Sequence, residues 1–245
     1  MSDDLIAEID AAYGTLRSLD GAKGPIRPFL GAAFGEAESN ALRVMAIGLN
    51  AHCRADESPT GDHWRSGVAG DRWHFARQLR RDLRALTTGI EGARTLGGRR
   101  YAAPDSLYLT NAVKRWLPDA QDARAVEERW FEEGAAVLQA ELAALHAVGR
   151  LPHLVVVAGE RAWAQVWPAF SPSRAPWAER YDAQAETSPL RHFLNVVTVQ
   201  EAGGVRPLLL LRLRHPAAAR WDQGMSPKRL LAQPDLRRAV GLEAT

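Results

Sequence analysis

The 245-residue chain reads as an α/β protein, a three-layer α/β/α sandwich on a mostly parallel, four-stranded central sheet. Three observations predict this. The runs Leu42–Leu49, Leu107–Thr110 and His153–Ala158 are apolar almost throughout rather than alternating, the pattern of parallel strands buried on both faces. Segments with helical periodicity separate them, as crossovers between parallel strands require. Composition agrees: 46% hydrophobic and 24% charged residues are globular averages, and no apolar run approaches the ~18 residues that span a bilayer.

Taken in order, Leu5, Ile6, Ile9, Tyr13 and Leu16 give residues 4–18 one apolar helical face. A connection rich in Gly and Pro follows through Pro28. Residues 1–40 are expected to pack as a helical extension on a single domain spanning 1–245. After the first strand, Asp71 caps a helix whose stripe is Trp73, Ala76, Leu79, Leu83 and Leu86. After the second, Asp122 is expected to cap the longest helix, with the stripe Val126, Trp130, Leu138, Leu142 and Leu145 and a stop at Gly149. The third strand leads through Gly159 to a short helix around Trp163 and Trp167. Residues 168–191 hold four prolines and little periodicity, so they read as an ordered loop. Phe193–Val199 and Val205–Leu213 flank Glu201-Ala202-Gly203-Gly204, a hairpin signal, and a final helix is expected from Ser226 to about Val240.

The single cysteine, Cys53, excludes an internal disulfide, a thiolate-held iron–sulfur cluster and a four-cysteine zinc site. His52, His63 and His74 recur at intervals that match no ordinary metal-ligand spacing, so no metal is expected. The N-terminus, MSDDLIAEID, is acidic where a signal peptide is basic, so a cytoplasmic chain away from membranes is expected. The formal net charge of +2 hides an asymmetry: residues 61–100 carry 9 basic and 4 acidic groups, and 201–245 carry 8 and 4. Arginines outnumber lysines 28 to 3, and arginine grips phosphate bidentately. Arg77, Arg80, Arg81 and Arg84 share one helix face, which is either solvated or set against phosphates.

In a parallel sheet, ligands bind at the carboxyl ends of the strands. The residues standing there are Gly48-Leu49-Asn50-Ala51-His52, Thr110-Asn111-Ala112-Val113-Lys114, Gly159-Glu160-Arg161-Ala162 and Arg214-His215-Pro216-Ala217. Two carboxamides and two imidazoles thus meet at one edge, with Glu160 the sole carboxylate and no serine in a nucleophile's place. That composition is not a hydrolase triad, and the loops lack the glycine density of a phosphate cradle. A carboxamide presents a donor beside an acceptor, which suits reading the edge of a base.

These segments resemble those of the uracil-DNA glycosylase superfamily, from about Leu42 to Trp221. Its first strand ends in Gly-x-Asn-Pro or Gly-x-Asp-Pro, a second often in Thr-Asn-x-Val-Lys, and a late strand in His-Pro-Ser or His-Pro-Ala. The absence of cluster-binding cysteines is similar to its cluster-free branches, and Ala51 stands where the family has Pro, leaving the loop less restrained. The resemblance implies that Asn50 positions a water below C1′ and that His215 hydrogen-bonds the departing base. It implies that Asn111 reads the base edge, with Gly48, Leu49 and His52 around the base. Trp64, in a Gly-rich stretch, is the expected stacking face. Lys114, Arg214, Pro216, Ala217 and Arg220 are expected to contact DNA.

The function expected is hydrolysis of the N-glycosidic bond of uracil or another deaminated base in DNA, by a monomer without cofactor. Two alternatives remain open at the level of sequence. One is a catalytically silent member of the fold that binds DNA or senses damage. The other is an α/β enzyme acting on a free nucleobase or nucleotide.

Overall fold

A computed structural model describes residues 3–14, 16, 23–31, 34, 43–49, 51–53, 77, 107–118, 126–183 and 194–213. Their elements run α1 (Asp3–Gly14), β1 (Lys23–Pro25), β2 (Phe29–Leu30), β3 (Val44–Gly48), β4 (Ala51–Cys53), β5 (Leu107–Asn111) and β6 (Arg115–Pro118). Then follow α2 (Glu128–Ala147), β7 (Leu154–Ala158), α3 (Glu160–Val166), a 3-10 turn (Trp167–Phe170), β8 (Ala178–Ala183), β9 (Leu194–Glu201) and β10 (Gly204–Leu213). The helices expected over 71–86 and 226–240 lie outside the described residues, except that Arg77 is helical.

The central sheet is larger and more mixed than the four strands expected. It has seven strands in the order β2-β5-β3-β7-β10-β9-β8. The inner four, β5, β3, β7 and β10, pair in parallel, while β2, β9 and β8 add antiparallel neighbours at the two sides. Three of the inner strands (Val-Met-Ala-Ile-Gly, Leu-Tyr-Leu-Thr-Asn and Leu-Val-Val-Val-Ala) are buried at every position, as the unbroken apolar runs require. β9 and β10 form the expected hairpin, turning through Ala202 and Gly203 with Glu201 opposite Gly204. β8 falls in the stretch read as a loop. Its sequence, Ala-Glu-Arg-Tyr-Asp-Ala, carries charge because it lies at the outer end of the sheet, where charged side chains are ordinary.

Residues 1–40 supply more than a helix, since β1 and β2 come from them. α1 buries Leu5, Ile9 and Tyr13 in the same core as α2 and α3. That core packs on one face of the sheet, against Tyr108, Met45, Ile47, Val155, Val157, Leu208 and Leu210. The alternate residues Val44, Ala46, Leu109, Val156, Leu209 and Leu211 are equally buried on the other face.

Helix α2 begins later than expected. Val126 and Glu127 are not helical, Glu127 is the N-cap without a side-chain capping bond, and Asp122 lies outside the described residues. Val126 is the residue before the cap, and Phe131 is the fourth helical residue. Both are buried, the spacing of a hydrophobic staple, so Val126 belongs to the stripe without belonging to the helix. The stop is as expected. Gly149 takes φ +65°, and the Arg150 amide bonds back to the Leu145 carbonyl at 2.6 Å, the closure that favours glycine after a helix.

At the amino edge of the sheet, polar groups are tied off. Arg206 Nε meets Glu201 Oε2 at 2.5 Å, and its Nη2 donates to the Leu151 carbonyl at 2.9 Å. Arg43 Nε donates to that carbonyl at 3.0 Å. The carboxyl edge is different.

Candidate functional site

Because β5, β3, β7 and β10 run parallel, their carboxyl ends share one edge, in the order Asn111, Gly48, Ala158 and Leu213. Gly48 lies beside Asn111, Ile47 beside Val157, and Ala158 beside Leu213. The Gly159 amide donates to the Leu213 carbonyl at 2.8 Å, extending the last pair by one residue. The first two expected motifs are therefore in direct contact through their backbones. They stay paired beyond the sheet, as the Ala112 amide donates to Gly48 O at 2.8 Å and the Val113 amide to Leu49 O at 2.9 Å.

Both chains then enter a second, three-stranded sheet of order β1-β6-β4. Ala51, His52 and Cys53 of β4 lie parallel to Trp116, Leu117 and Pro118 of β6, and the Ile26 amide donates to Lys114 O at 2.7 Å. The loop expected to be slack at Ala51 is thus restrained by strand pairing rather than by a proline.

Asn111 closes β5 and is 3% exposed. Its Nδ2 has no hydrogen-bond partner among the described residues. Leaving a buried donor unmet costs about 1–3 kcal/mol, and native interiors avoid it. An unmet carboxamide donor on the ligand-binding edge of a parallel sheet is where an acceptor from outside the chain would sit.

The side chain of Lys114 is turned into the interior and has no exposed surface. Its Nζ donates to Thr110 Oγ1 at 2.6 Å and to Glu141 Oε2 at 2.7 Å, and it lies 5.9 Å from the centre of the Tyr13 ring. The Tyr13 hydroxyl donates to Glu141 Oε1 at 2.5 Å. Burial pushes the Lys114 amine below its ordinary pKa, and the Glu141 carboxylate opposes that push. A fully enclosed, paired ammonium is unavailable to a phosphate, so the DNA contact expected of Lys114 is replaced by an internal ion pair.

Helix α2 grips the same segment at two further points. Arg115 makes a bidentate pair with Glu133, Nε to Oε2 at 2.6 Å and Nη2 to Oε1 at 2.7 Å. Gly134 lies so close to the Ala112 carbonyl that a Cβ there would overlap its oxygen and stand 3.0 Å from its carbon. Glycine is needed here for close approach rather than for a turn.

Of the other expected site residues, Gly48 is buried and Leu49 half-buried against the core. His52 is placed by its backbone in β4. Asn50, Trp64, Arg214, His215, Pro216, Ala217 and Arg220 lie outside the described residues. Arg212, two residues before Arg214, donates to Glu160 Oε1 at 3.1 Å. Among the described residues no group of His, Cys, Asp or Glu is arranged to hold a metal, and no helix is long and apolar enough to cross a membrane.

Sequence reasoning missed Tyr13, Glu133, Gly134 and Glu141. The signal was present for two of them. Gly134 stands midway between Trp130 and Leu138, and Glu141 stands between Leu138 and Leu145, so both fall on the apolar stripe. A glycine and a carboxylate on a buried stripe mark a close approach and a buried partner.

Comparison with known proteins adds no family: no family model matches the chain, and no curated protein is significantly similar to it.

Proposed function

We propose that this chain is a uracil-DNA glycosylase-like hydrolase of base-excision repair, built on an α/β/α sandwich, that releases uracil or another deaminated base from DNA. The unmet Nδ2 donor of buried Asn111 carries this reading. Deamination turns an exocyclic amine of a base into a carbonyl. A fixed N–H donor pairs with the new carbonyl and meets only another donor on the unaltered base. A site with such a buried group rejects the unmatched analogue by a large factor.

Asn111 would read the base while Asn50 and His215 serve water and leaving group. Donors aimed at charge growing on the departing base are worth ~10²–10³ each in rate. Gly48 and Asn111 are backbone neighbours, which supports placing the two carboxamide motifs around one ligand. The basic segments 61–100 and 201–245, with Arg214 and Arg220, would supply the phosphate contacts. No metal or organic cofactor enters the scheme.

The test is a labelled oligonucleotide with one uracil, single- or double-stranded, incubated with the protein and then treated with alkali. Strand breaks at the uracil, absent with Asn111→Ala, support the reading. Retention of the strand without breaks replaces it with the silent DNA-binding alternative. Neither breaks nor retention points to an enzyme of free nucleobases or nucleotides.

A further inference from the structure

We propose that the buried Tyr13–Glu141–Lys114–Thr110 network, spanning α1, α2 and the end of β5, is the positioning device of Asn111. The inference rests on the reading of Asn111 given above, as the group that meets the base.

Stability is a poor explanation for the network. A buried ion pair is commonly no better than apolar side chains of the same volume, because desolvating both charges offsets their attraction. Here both partners have no exposed side-chain surface. The elements they join bury apolar side chains in one core: Leu138, Leu142 and Leu145 on α2, Ile9 on α1, and Tyr108 and Ile47 on the sheet. A Met and a Leu would suit that setting.

Placement offers the better explanation. The Lys114 ammonium bonds Thr110, immediately before Asn111, and itself stands three residues after it. The lysine thus closes a bracket across the turn that carries the carboxamide. Glu141 fixes the ammonium to α2, and Tyr13 fixes Glu141 to α1. Gly134 against Ala112 and Glu133 with Arg115 hold the following residues from the same helix. The backbone from 110 to 115 is therefore secured at nearly every residue by groups that cannot shift singly. This accounts for an otherwise costly feature, since a mobile Asn111 would turn its Nδ2 toward some acceptor of the chain. Sites that discriminate need such support, because misplacement by about 1 Å costs ~10²-fold.

The experiment uses the full chain and two variants. Lys114→Met/Glu141→Leu removes the network while keeping the core apolar. Tyr13→Phe removes a single hydroxyl and keeps the ring. The chain has four asparagines, at 40, 50, 111 and 195, so asparagine-selective ¹⁵N labelling yields four pairs of side-chain amide signals, that of Asn111 being assigned by its loss in Asn111→Asp. In the parent this amide is expected to exchange slowly with solvent. In the double variant exchange should quicken at least tenfold, and in Tyr13→Phe by a smaller factor, with the melting temperature changed by only a few degrees. Tyr13→Phe decides the matter alone if the double variant does not fold.

Preference for a uracil-containing over a cytosine-containing strand is measured on the same samples. It should fall at least tenfold in the double variant, with affinity for the cytosine strand unchanged. An Asn111 amide that exchanges at the parent's rate in the variants overturns the proposal, whatever the chain does to uracil. A faster amide in a chain that never preferred uracil upholds the positioning network and removes the function reading instead.

Discussion

Gly134→Ala should destabilise this protein even though alanine is the better helix former. In the interior of α2 the exchange by itself would stabilise by about 1 kcal/mol. The new Cβ, however, would overlap the Ala112 carbonyl oxygen and lie 3.0 Å from its carbon and 3.5 Å from Val113 Cα. Ordinary carbon contacts begin near ~3.5 Å, so helix and turn must part by at least half an ångström. Both sides resist, one being the backbone of helix α2 and the other a turn paired to Gly48 and Leu49. Overpacking of this kind costs about 1–3 kcal/mol. The same movement stretches the Lys114–Glu141 contact at 2.7 Å and the Arg115–Glu133 contact at 2.6 Å, and breaking a buried pair outright costs about 3–5 kcal/mol. The overpacking cost, plus about 2 kcal/mol for pairs stretched rather than broken and less the propensity gain, gives an expected net loss of about 2–4 kcal/mol. At ~2–4 °C per kcal/mol for a chain of this length, melting should fall by roughly 4–16 °C. The assay is urea unfolding followed by tryptophan fluorescence, with Ala136→Gly as the reverse exchange at an exposed site on the same helix. If Gly134→Ala is as stable as the parent while Ala136→Gly is weakened by about 1 kcal/mol, the close packing of α2 on the turn is wrong.

Asn111→Ala should leave the fold as stable as the parent or raise its unfolding free energy by about 1 kcal/mol, because it deletes an unmet buried donor, while abolishing preference for uracil. A clear loss of stability in urea would mean that the carboxamide is bonded within the fold. The pH dependence of stability should carry a mark of Lys114, whose pKa is lowered in the folded state. Between that lowered value and the usual 10.5 the unfolded chain holds the extra proton, so this group makes stability rise with pH there. Subtracting the unfolding free energies of Lys114→Met/Glu141→Leu from those of the parent across alkaline pH should show the rise, and a flat or falling difference would contradict it. Affinity for DNA should drop steeply between 50 and 200 mM salt, since segments 61–100 and 201–245 would release counterions. Binding by gel shift that is insensitive to salt in that range would count against phosphate contacts.

The parallel heart of the sheet was legible because burial on both faces leaves no choice but unbroken apolar runs, and Val44–Gly48, Leu107–Asn111 and Leu154–Ala158 obey it. The strands that escaped notice are those whose formation depends on a neighbour rather than on their own pattern. β8 is polar enough to pass for a loop, and β2 has two residues. β4 and β6 exist because the motif strands continue side by side past the edge of the main sheet. The same distinction runs through the site. Asn111 was found as a residue at a strand end, but its unmet donor belongs to three dimensions. Lys114 shows the converse: in sequence it is a cation three residues past a strand-end carboxamide, and only the register of α2 against β5 brings Glu141 to it.

The inward position of Lys114 bears on how the site works. A lysine at the mouth would bind DNA of any sequence and add nothing to the choice of base. Turned inward, it joins Thr110 to Glu141 and makes the turn after β5 part of the rigid interior. Phosphate contacts position a nucleic acid, whereas contacts at base edges specify it. On the proposed function the chain would separate the two tasks. Cations for the backbone would come from the arginine-rich segments, and selectivity from one immobile carboxamide. Such a division predicts independence: neutralising Arg214 and Arg220 should weaken binding to uracil and cytosine strands alike, leaving their ratio as it was. Loosening the Lys114 bracket should change the ratio and leave the weaker affinity alone. Were both kinds of variant to change the ratio equally, base choice would not reside in Asn111, and its unmet donor would need another explanation.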